Sequence, residues 1–150
     1  MKRILSVFFF ISLFHLSLLA ESIGKLNALR CEYLVAPLGI DVPSPRLSWQ
    51  LPVDVDVQEA YQVIVGTDSV RVAQGMGDSW NSGKQTISNV QAVYAGQKLQ
   101  PYTRYYWKVC AWDSNKMYTS DVTYFETGVM DEHNWKGNWI SDTHNIHLKP

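Results

Sequence analysis

The sequence lacks an excess of charge of either sign, and it lacks the short motifs of common phosphate and hydrolase sites. Its 13 basic and 14 acidic residues give a formal net charge of −1, which does not favour a polyanionic partner such as nucleic acid. No glycine-rich phosphate loop, nucleophile elbow or N-x-S/T glycosylation acceptor occurs among its 150 residues. The sequence therefore gives no local signature of phosphate binding or of serine-nucleophile catalysis.

A long apolar run occurs at the N-terminus, and no comparable run follows it. Two basic residues precede the apolar residues 4–19, and the small residues Ala20 and Ser22 follow. This order is typical of a secretory signal peptide over residues 1–22, cleaved after Ser22 or, as the alternative, after Ala20. The run is short for a membrane span, so an uncleaved anchor is the less favoured interpretation. We expect an exported protein, periplasmic or extracellular, with no membrane span after cleavage.

Cysteine and histidine are scarce in the chain that remains. His144 and His147 have H-x-x-H spacing, but a zinc site needs three or four convergent ligands, and neither cysteine nor an anchored carboxylate accompanies them. We predict no metal site and no cofactor. Cys31 and Cys110 would have to pair from strands in different sheets, with Cys110 facing outward, so we expect two free thiols rather than a disulfide.

The segment Leu99–Asp113 predicts a long, half-buried strand that follows a proline turn. Every second residue, including Tyr105 and Trp107, belongs to the apolar register, and period two is typical of a strand with one buried face. A tyrosine just after such a turn is a candidate for the tyrosine corner of Greek-key sandwiches. We assign that role to Tyr105.

Six further segments complete a predicted all-β fold. Strands are expected at residues 25–34, 46–51, 60–65, 90–95 and 118–127, with an edge strand and loop over 68–84. Seven short strands, a tryptophan in the second and a tyrosine corner in the sixth predict a fibronectin type III or immunoglobulin-like β-sandwich. The sandwich is expected over residues 23–130, and residues 131–150 are expected to be a linker and the start of a following, missing domain.

The order of several motifs resembles the N-terminal region of bacterial α-L-rhamnosidases, inverting glycoside hydrolases that remove terminal rhamnose. The motifs are P-R-L-S-W at 45–49, S-W-N-S-G at 79–83 and W-K-G-N-W-I at 135–140, and the likeness covers residues 26–142. It implies a fibronectin-III-like sandwich, then a second sandwich, a linker and a helical barrel with the catalytic carboxylates. Because this chain ends at Pro150, we expect a non-catalytic fragment of such an enzyme.

The carboxylates of the chain support a non-catalytic interpretation. Inverting hydrolysis needs a carboxylic acid and a carboxylate base about 6.5 to 9.5 Å apart across a sugar pocket. The acidic side chains here fall at turns or on the predicted solvent faces of strands, where they are expected to be solvated. No catalytic residue is predicted among Asp54, Asp56, Asp68, Asp78, Asp113, Asp121 and Glu126.

Four aromatic residues lie outside the core pattern: Tyr106, Trp112, Trp135 and Trp139. The favoured interpretation is that they bury against the next β-domain of a parent enzyme, since interfaces are rich in aromatic residues. Tyr106 and Trp112 share the outer face of one strand, so a platform for rhamnose-containing glycans is the alternative. Trp80 is interpreted as a loop staple. Two other functions stay open, a stand-alone carbohydrate-binding module and a fibronectin-III-like protein-interaction module.

Overall fold

The computed structural model describes residues 24–138, and these fold into a domain whose regular secondary structure is mostly β-strand. The predicted signal peptide and Trp139 lie outside the described residues. Beyond the strands, the described chain has a short helix, α1 (Ser69–Ala73), and a 3₁₀ turn (Glu132–Asn134). The strands are β1 (Lys25–Cys31), β2 (Arg46–Gln50), β3 (Ala60–Gly66), β4 (Trp80–Asn81), β5 (Gln91–Val93), β6 (Arg104–Trp112), β7 (Met117–Ser120) and β8 (Thr123–Glu126).

The strands form two sheets that share β1. In one sheet β3 lies between β4 and β6, and β6 pairs with β7 along its second half and with β8 along its first half. In the other sheet β2 lies between β1 and β5, all antiparallel. β1 begins parallel to β7, at Lys25 opposite Thr119, and ends opposite β2, at Cys31 opposite Leu47. The change of sheet falls between Leu26 and Asn27, and a register shift follows it around Ala28, whose φ is 48°.

Strand direction gives the domain two ends. β1 and β8 finish, and β2 and β6 begin, at the end from which the chain leaves, which we call the exit end. β6 finishes at the opposite end, which we call the Trp112 end. The nine residues of β6 rise about 3.3 Å each, so the two ends are about 26 Å apart.

The core lies between the sheets and confirms the predicted inward registers of β2 and β6. Trp107 is fully buried, and Trp49 is 2% exposed. The indole Nε1–H of Trp49 donates to Oε1 of the buried Gln58 at 2.9 Å, so its polar atom is satisfied within the core. Further core side chains come from all the longer strands: Leu26, Leu47, Val63, Val65, Tyr105, Val109, Ala111, Tyr118 and Phe125.

Tyr105 forms the predicted tyrosine corner. Its ring is 3% exposed and stacks on Phe125 with centroids 5.5 Å apart. Its hydroxyl accepts a hydrogen bond from the backbone N–H of Gln100 at 2.8 Å. This bond fixes the turn that precedes β6.

The prediction for residues 68–84 was wrong in its first half. Asp68 accepts hydrogen bonds from the N–H groups of Val70 and Arg71, and this N-cap starts α1 where an edge strand was expected. Val72 is fully buried and Val70 is 63% exposed. Residues two apart would share one face of a strand, but in this helical turn they face different ways. Only two residues of this segment form a strand, β4.

The last predicted strand is two strands, so residues 24–138 form eight strands where seven were expected. Residues 121 and 122 separate β7 from β8, and the two strands pair with different halves of β6. At the break, the N–H of Val109 donates to Oγ of Ser120 at 3.0 Å. A side-chain acceptor thus replaces the missing backbone partner.

Both cysteines are free and buried, which confirms the prediction of two thiols. Burial raises the pKa of the Cys31 thiol to about 12. Cys110 has the outward register that was predicted but is only 9% exposed, beside Oγ1 of Thr119 at 3.7 Å from its Sγ. No helix within residues 24–138 is long and apolar enough to cross a membrane.

Candidate functional site

The outer face of β6 carries two of the predicted site residues, but the structure does not bring them together. Tyr106 and Trp112 are both half-buried and are six residues apart, or about 20 Å along the strand. Between them, Nζ of Lys108 donates to the carbonyl of Ala73 at the end of α1. Ile64, the partner of Lys108 on β3, is only 3% exposed under this cover. A continuous sugar platform of Tyr106 and Trp112 is therefore not formed.

Trp112 has close neighbours at its own end of the domain. Nζ of Lys84 lies 4.6 Å from the centroid of the indole ring, a cation–π geometry. Met117 pairs with Trp112 across β6 and β7 and is 54% exposed. One face of the indole is thus already covered by an ammonium group of the same chain.

Tyr106 belongs to a polar aromatic group at the exit end. Its ring packs edge-on against Tyr124, with centroids 6.4 Å apart. The guanidinium of Arg104 lies 4.4 Å from the Tyr124 centroid and forms an ion pair with Glu126. The hydrogen bond with Glu126 raises the pKa of Arg104. Glu126 is therefore engaged in a surface ion pair, in agreement with its predicted place on a solvent face.

Trp135 lies on the segment by which the chain leaves the domain, and it is 51% exposed. This segment is bonded to the domain at several points. The N–H of Gly128 donates to the carbonyl of Ile40 at 3.0 Å, and that of Met130 donates to Oδ1 of Asp41 at 2.7 Å. Asp41, Met130 and Trp135 share one shallow cleft. The structure therefore places Trp135 at the exit end, the end at which β6 begins, and away from Trp112.

A turn that the sequence analysis passed over also lies at the exit end. Cys31 and Leu34 exchange two backbone hydrogen bonds of 2.9 Å, which makes Glu32 and Tyr33 the central residues of a two-residue hairpin. Both have positive φ, 48° and 66°, a conformation that such turns usually give to Asn and Gly. For other residues the left-handed region costs about 1 to 2 kcal/mol each.

Arg46 holds this strained turn. Its Nη2 lies 2.6 Å from Oε2 of Glu32, its Nη1 donates to the hydroxyl of Tyr33 at 3.0 Å, and its guanidinium is 4.7 Å from the Tyr33 ring centroid. Hydrogen bonds from the Arg46 side chain hold the pKa of Glu32 below its usual range. The turn is thus fixed in position by a residue of β2.

Apolar side chains follow the turn and point into solvent. Tyr33, Leu34, Val35 and Leu38 are 57% to 68% exposed, and we call residues 33–38 the exit loop. The sequence analysis ended the first strand at Leu34 and assigned no element to the residues that follow it. A connection with so many apolar residues was itself a signal, because solvent-exposed loops are usually polar.

Most of the acidic side chains named above serve local structure. Asp68 caps α1. Partial loss of water around the Asp78 carboxylate raises its pKa, but hydrogen bonds from Thr67 and Ser79 outweigh this effect and hold the pKa below the usual range. The hydroxyl of Tyr118 donates to Asp113 at 2.7 Å and contributes most to lowering the pKa of that carboxyl. Among residues 24–138 no three His, Cys, Asp or Glu side chains converge as a metal site would require.

Comparison with known proteins places this domain in a family. The model of the Rha78A-like, N-terminal immunoglobulin domain matches residues 26–131. An α-L-rhamnosidase of Streptomyces avermitilis is 38% identical over 115 residues, which are 73% of this chain and 11% of the relative. One of Formosa agariphila is 35% identical over 113 residues, 71% of this chain and 12% of the relative.

Solved structures agree with the sequence relatives. The α-L-rhamnosidase from Dictyoglumus thermophilum superposes with a TM-score of 0.75 and 40% identity, over 79% of this chain and 14% of that one. The Streptomyces avermitilis α-L-rhamnosidase complexed with L-rhamnose gives a TM-score of 0.72 and 36% identity, over 78% and 12%. The chain thus spans about one eighth of the relatives it matches. It belongs to the family of N-terminal immunoglobulin domains of Rha78A-like proteins, a non-catalytic module.

Proposed function

We propose that this chain is the non-catalytic N-terminal module of a longer glycoside hydrolase that acts on terminal α-L-rhamnosides. One observation carries the proposal: residues 26–131 match an N-terminal domain family, and in the named α-L-rhamnosidases the matched region is only 11% to 14% of the length. The acid and base of the reaction would then lie in the remainder of such an enzyme. The rhamnoside substrate is inferred from the names of the relatives.

The contribution of the module would be a contact surface for the domain that follows it. Trp135 is half exposed on the departing segment, and Tyr106 lies in the aromatic group at the same end. We propose these two residues, together with Trp139 four residues further along the chain, as the docking group. Trp112, at the opposite end of β6, is left out of it.

We further propose that the protein is exported, in the periplasm or outside the cell. The support is the basic, apolar and small-residue order of residues 1–22. The corresponding division is a leader over 1–22, a sandwich over 23–130, and a linker with the start of another domain over 131–150. Sequencing the N-terminus of the protein recovered from the periplasm or medium should give Ile23, or Glu21 if cleavage follows Ala20. An intact Met1 in an envelope fraction would contradict the signal peptide.

Activity and sugar binding test the central proposal. The purified chain should release no nitrophenol from nitrophenyl α-L-rhamnoside, and L-rhamnose or rhamnose oligosaccharides should leave its tryptophan fluorescence unchanged. Turnover that disappears in Glu126→Gln would make the chain an enzyme. A saturable fluorescence change that Trp112→Ala abolishes would make it a carbohydrate-binding module.

A chimera tests the role within a larger enzyme. Residues 24–138 of this chain would replace the matched domain of the Streptomyces avermitilis α-L-rhamnosidase, to which the chain is 38% identical. We expect rhamnosidase activity within a few-fold of the parent. We also expect the grafted domain to melt at a higher temperature than the isolated chain, because a docked surface adds stability.

A further inference from the structure

We infer that the exit loop, residues 33–38, docks the module onto the domain that follows it in a longer rhamnosidase. The occupant is an apolar surface of that following domain. This inference rests on the proposed function and deepens it, since it adds a loop to the docking surface as its main apolar contact, beside the aromatic residues of β6 and the departing segment.

The first support is the exposure of contiguous apolar side chains. Leu34, Val35 and Leu38 are 57%, 66% and 68% exposed, and Tyr33 is 57% exposed. Single exposed apolar residues are ordinary on a protein surface, but four within six residues form a patch of the kind that marks interaction sites. The carbonyl and N–H of Leu34 are bonded within the turn, so the loop is ordered while its side chains remain without apolar cover.

The second support is the position of the loop beside the departing chain. The N–H of Glu126 donates to the carbonyl of Pro37 at 2.9 Å, and the N–H of Gly128 donates to that of Ile40 at 3.0 Å. The exit loop therefore lies against the segment that continues to Asn138. A domain attached after this segment starts next to the loop, whereas a domain at the Trp112 end would have to return along the whole of β6.

The third support is the length of chain that the relatives carry beyond this domain. The matched region is 11% of the Streptomyces avermitilis enzyme and 14% of the Dictyoglumus thermophilum chain. Because the matched family is an N-terminal domain, most of each relative lies after it, and we infer that this part of the chain supplies the surface that covers the patch. A second copy of this chain is the competing occupant, and the sedimentation measurement described below tests it.

The loop is also held rigidly before any partner binds. Arg46 bonds both Glu32 and Tyr33, and both turn residues have positive φ. A contact surface that is ordered in advance loses little conformational entropy on docking. The arrangement thus presents Leu34 and Val35 in one fixed direction.

The test compares the isolated chain with the chimera described above. Leu34→Ser and Val35→Ser are introduced together, and Val53→Ser with Val70→Ser is the matched control, because those valines are 103% and 63% exposed at other places. In the isolated chain, both pairs should shift the melting temperature by less than about 2 °C. In the chimera, the exit-loop pair should lower the melting temperature of the grafted domain by about 4 °C or more, and the control pair should not.

The outcomes separate this inference from the proposed function. A grafted domain that melts no higher than the isolated chain contradicts docking altogether, and with it the proposed function. A higher melting temperature that the exit-loop pair leaves in place contradicts only this inference. If sedimentation shows a dimer of the isolated chain that Leu34→Ser with Val35→Ser dissociates, a second copy is the occupant and the inference is overturned.

Discussion

The two ends of the sandwich are built differently. Six described residues other than glycine have positive φ, and five of them, all except Ala28, lie at the exit end: Glu32, Tyr33, Ala36, Tyr102 and Met130. The exit end also carries the exposed apolar loop and Trp135. At the Trp112 end the hairpin between β6 and β7 is closed by Asp113, which accepts from the N–H groups of Asn115 and Lys116. No residue of that hairpin, which lies wholly within the described chain, has positive φ.

This difference shows where the fold tolerates an unfavourable backbone. Left-handed residues other than glycine persist only where the surroundings hold them, and they gather at functional places. At the exit end, Arg46 and the backbone of the departing segment hold the left-handed residues in place. The Trp112 end, by contrast, satisfies its groups locally with ordinary turn chemistry. The predictions below test whether the two ends differ in energy as they do in geometry.

The largest expected loss of stability comes from a core substitution, which should unfold both ends of the domain together. Trp107→Ala, in the centre of the core, should destabilise the domain by about 3 to 5 kcal/mol. This is comparable with the whole stability of a small domain, so both ends should unfold together. Loss of near-ultraviolet circular dichroism at room temperature checks it. Melting within a few degrees of the parent would contradict the assigned registers.

A smaller effect compares one tyrosine hydroxyl at each end. Tyr105→Phe should cost about 1 kcal/mol, because it leaves the N–H of Gln100 without its acceptor. Tyr118→Phe at the Trp112 end should cost less, since Asp113 keeps its two backbone donors. Urea denaturation of both variants measures the two costs. Equal losses of unfolding free energy in the two variants would mean that the tyrosine corner stabilises the fold no more than the Tyr118 hydroxyl does.

A substitution that increases stability is expected where the backbone is strained. Ala36 has φ of 45°, so Ala36→Gly should stabilise the chain by up to about 1 kcal/mol. At Ala95, whose φ is not positive, the same change should destabilise by about 0.5 to 1 kcal/mol, because glycine has more freedom in the unfolded chain. Thermal unfolding compares the two. Destabilisation by both would mean that strain at the exit end is small.

The smallest effect concerns pH and the turn held by Arg46. The pKa of Glu32 is lowered in the folded chain by hydrogen bonds from Arg46, so ionised Glu32 stabilises the fold above its unfolded pKa of about 4.3. Glu32→Gln should therefore be less stable than the parent near pH 7. The difference in unfolding free energy between the parent and Glu32→Gln should become smaller as pH falls below about 4.3. It should reach its minimum below the pKa of Glu32 in the folded chain.

The control for this prediction removes the cation instead. In an Arg46→Gln background, the pH-dependent part of the stability change caused by Glu32→Gln should shrink but not vanish, because the guanidinium donors that contribute most to lowering the pKa of Glu32 are gone while the backbone N–H of residue 46 still donates to its carboxylate. Chemical denaturation at a series of pH values measures this. An unchanged pH profile in that background would assign the lowered pKa to another cause.

The sequence predicted the core well because the core registers are local. Trp49, Tyr105 and Trp107 alternate with polar neighbours in their own strands, and period two needs no knowledge of the rest of the chain. The short helix was missed because Val70 and Val72 fit a strand as well as a single helical turn. The turn at Glu32 and Tyr33 was missed because it lacks the Asn-Gly pair that usually marks one.

The site was harder to predict because it depends on distant pairings. Trp112 and Trp135 are both outside the core pattern, but they lie at opposite ends only because β7 and β8 divide β6 between them. Nothing local to either tryptophan carries that information. The exit loop, in turn, becomes a candidate only once Pro37 and Ile40 are seen beside the departing segment.

The change of sheets by β1 has a mechanical consequence. The described chain begins at Gly24, ahead of the parallel pairing of Lys25 with Thr119, and it leaves at the opposite end through Trp135. Tension applied between these ends acts along the strands, so neighbouring strands are pulled past one another in shear. We therefore expect backbone hydrogen bonds between neighbouring strands to break together under such tension, rather than one after another.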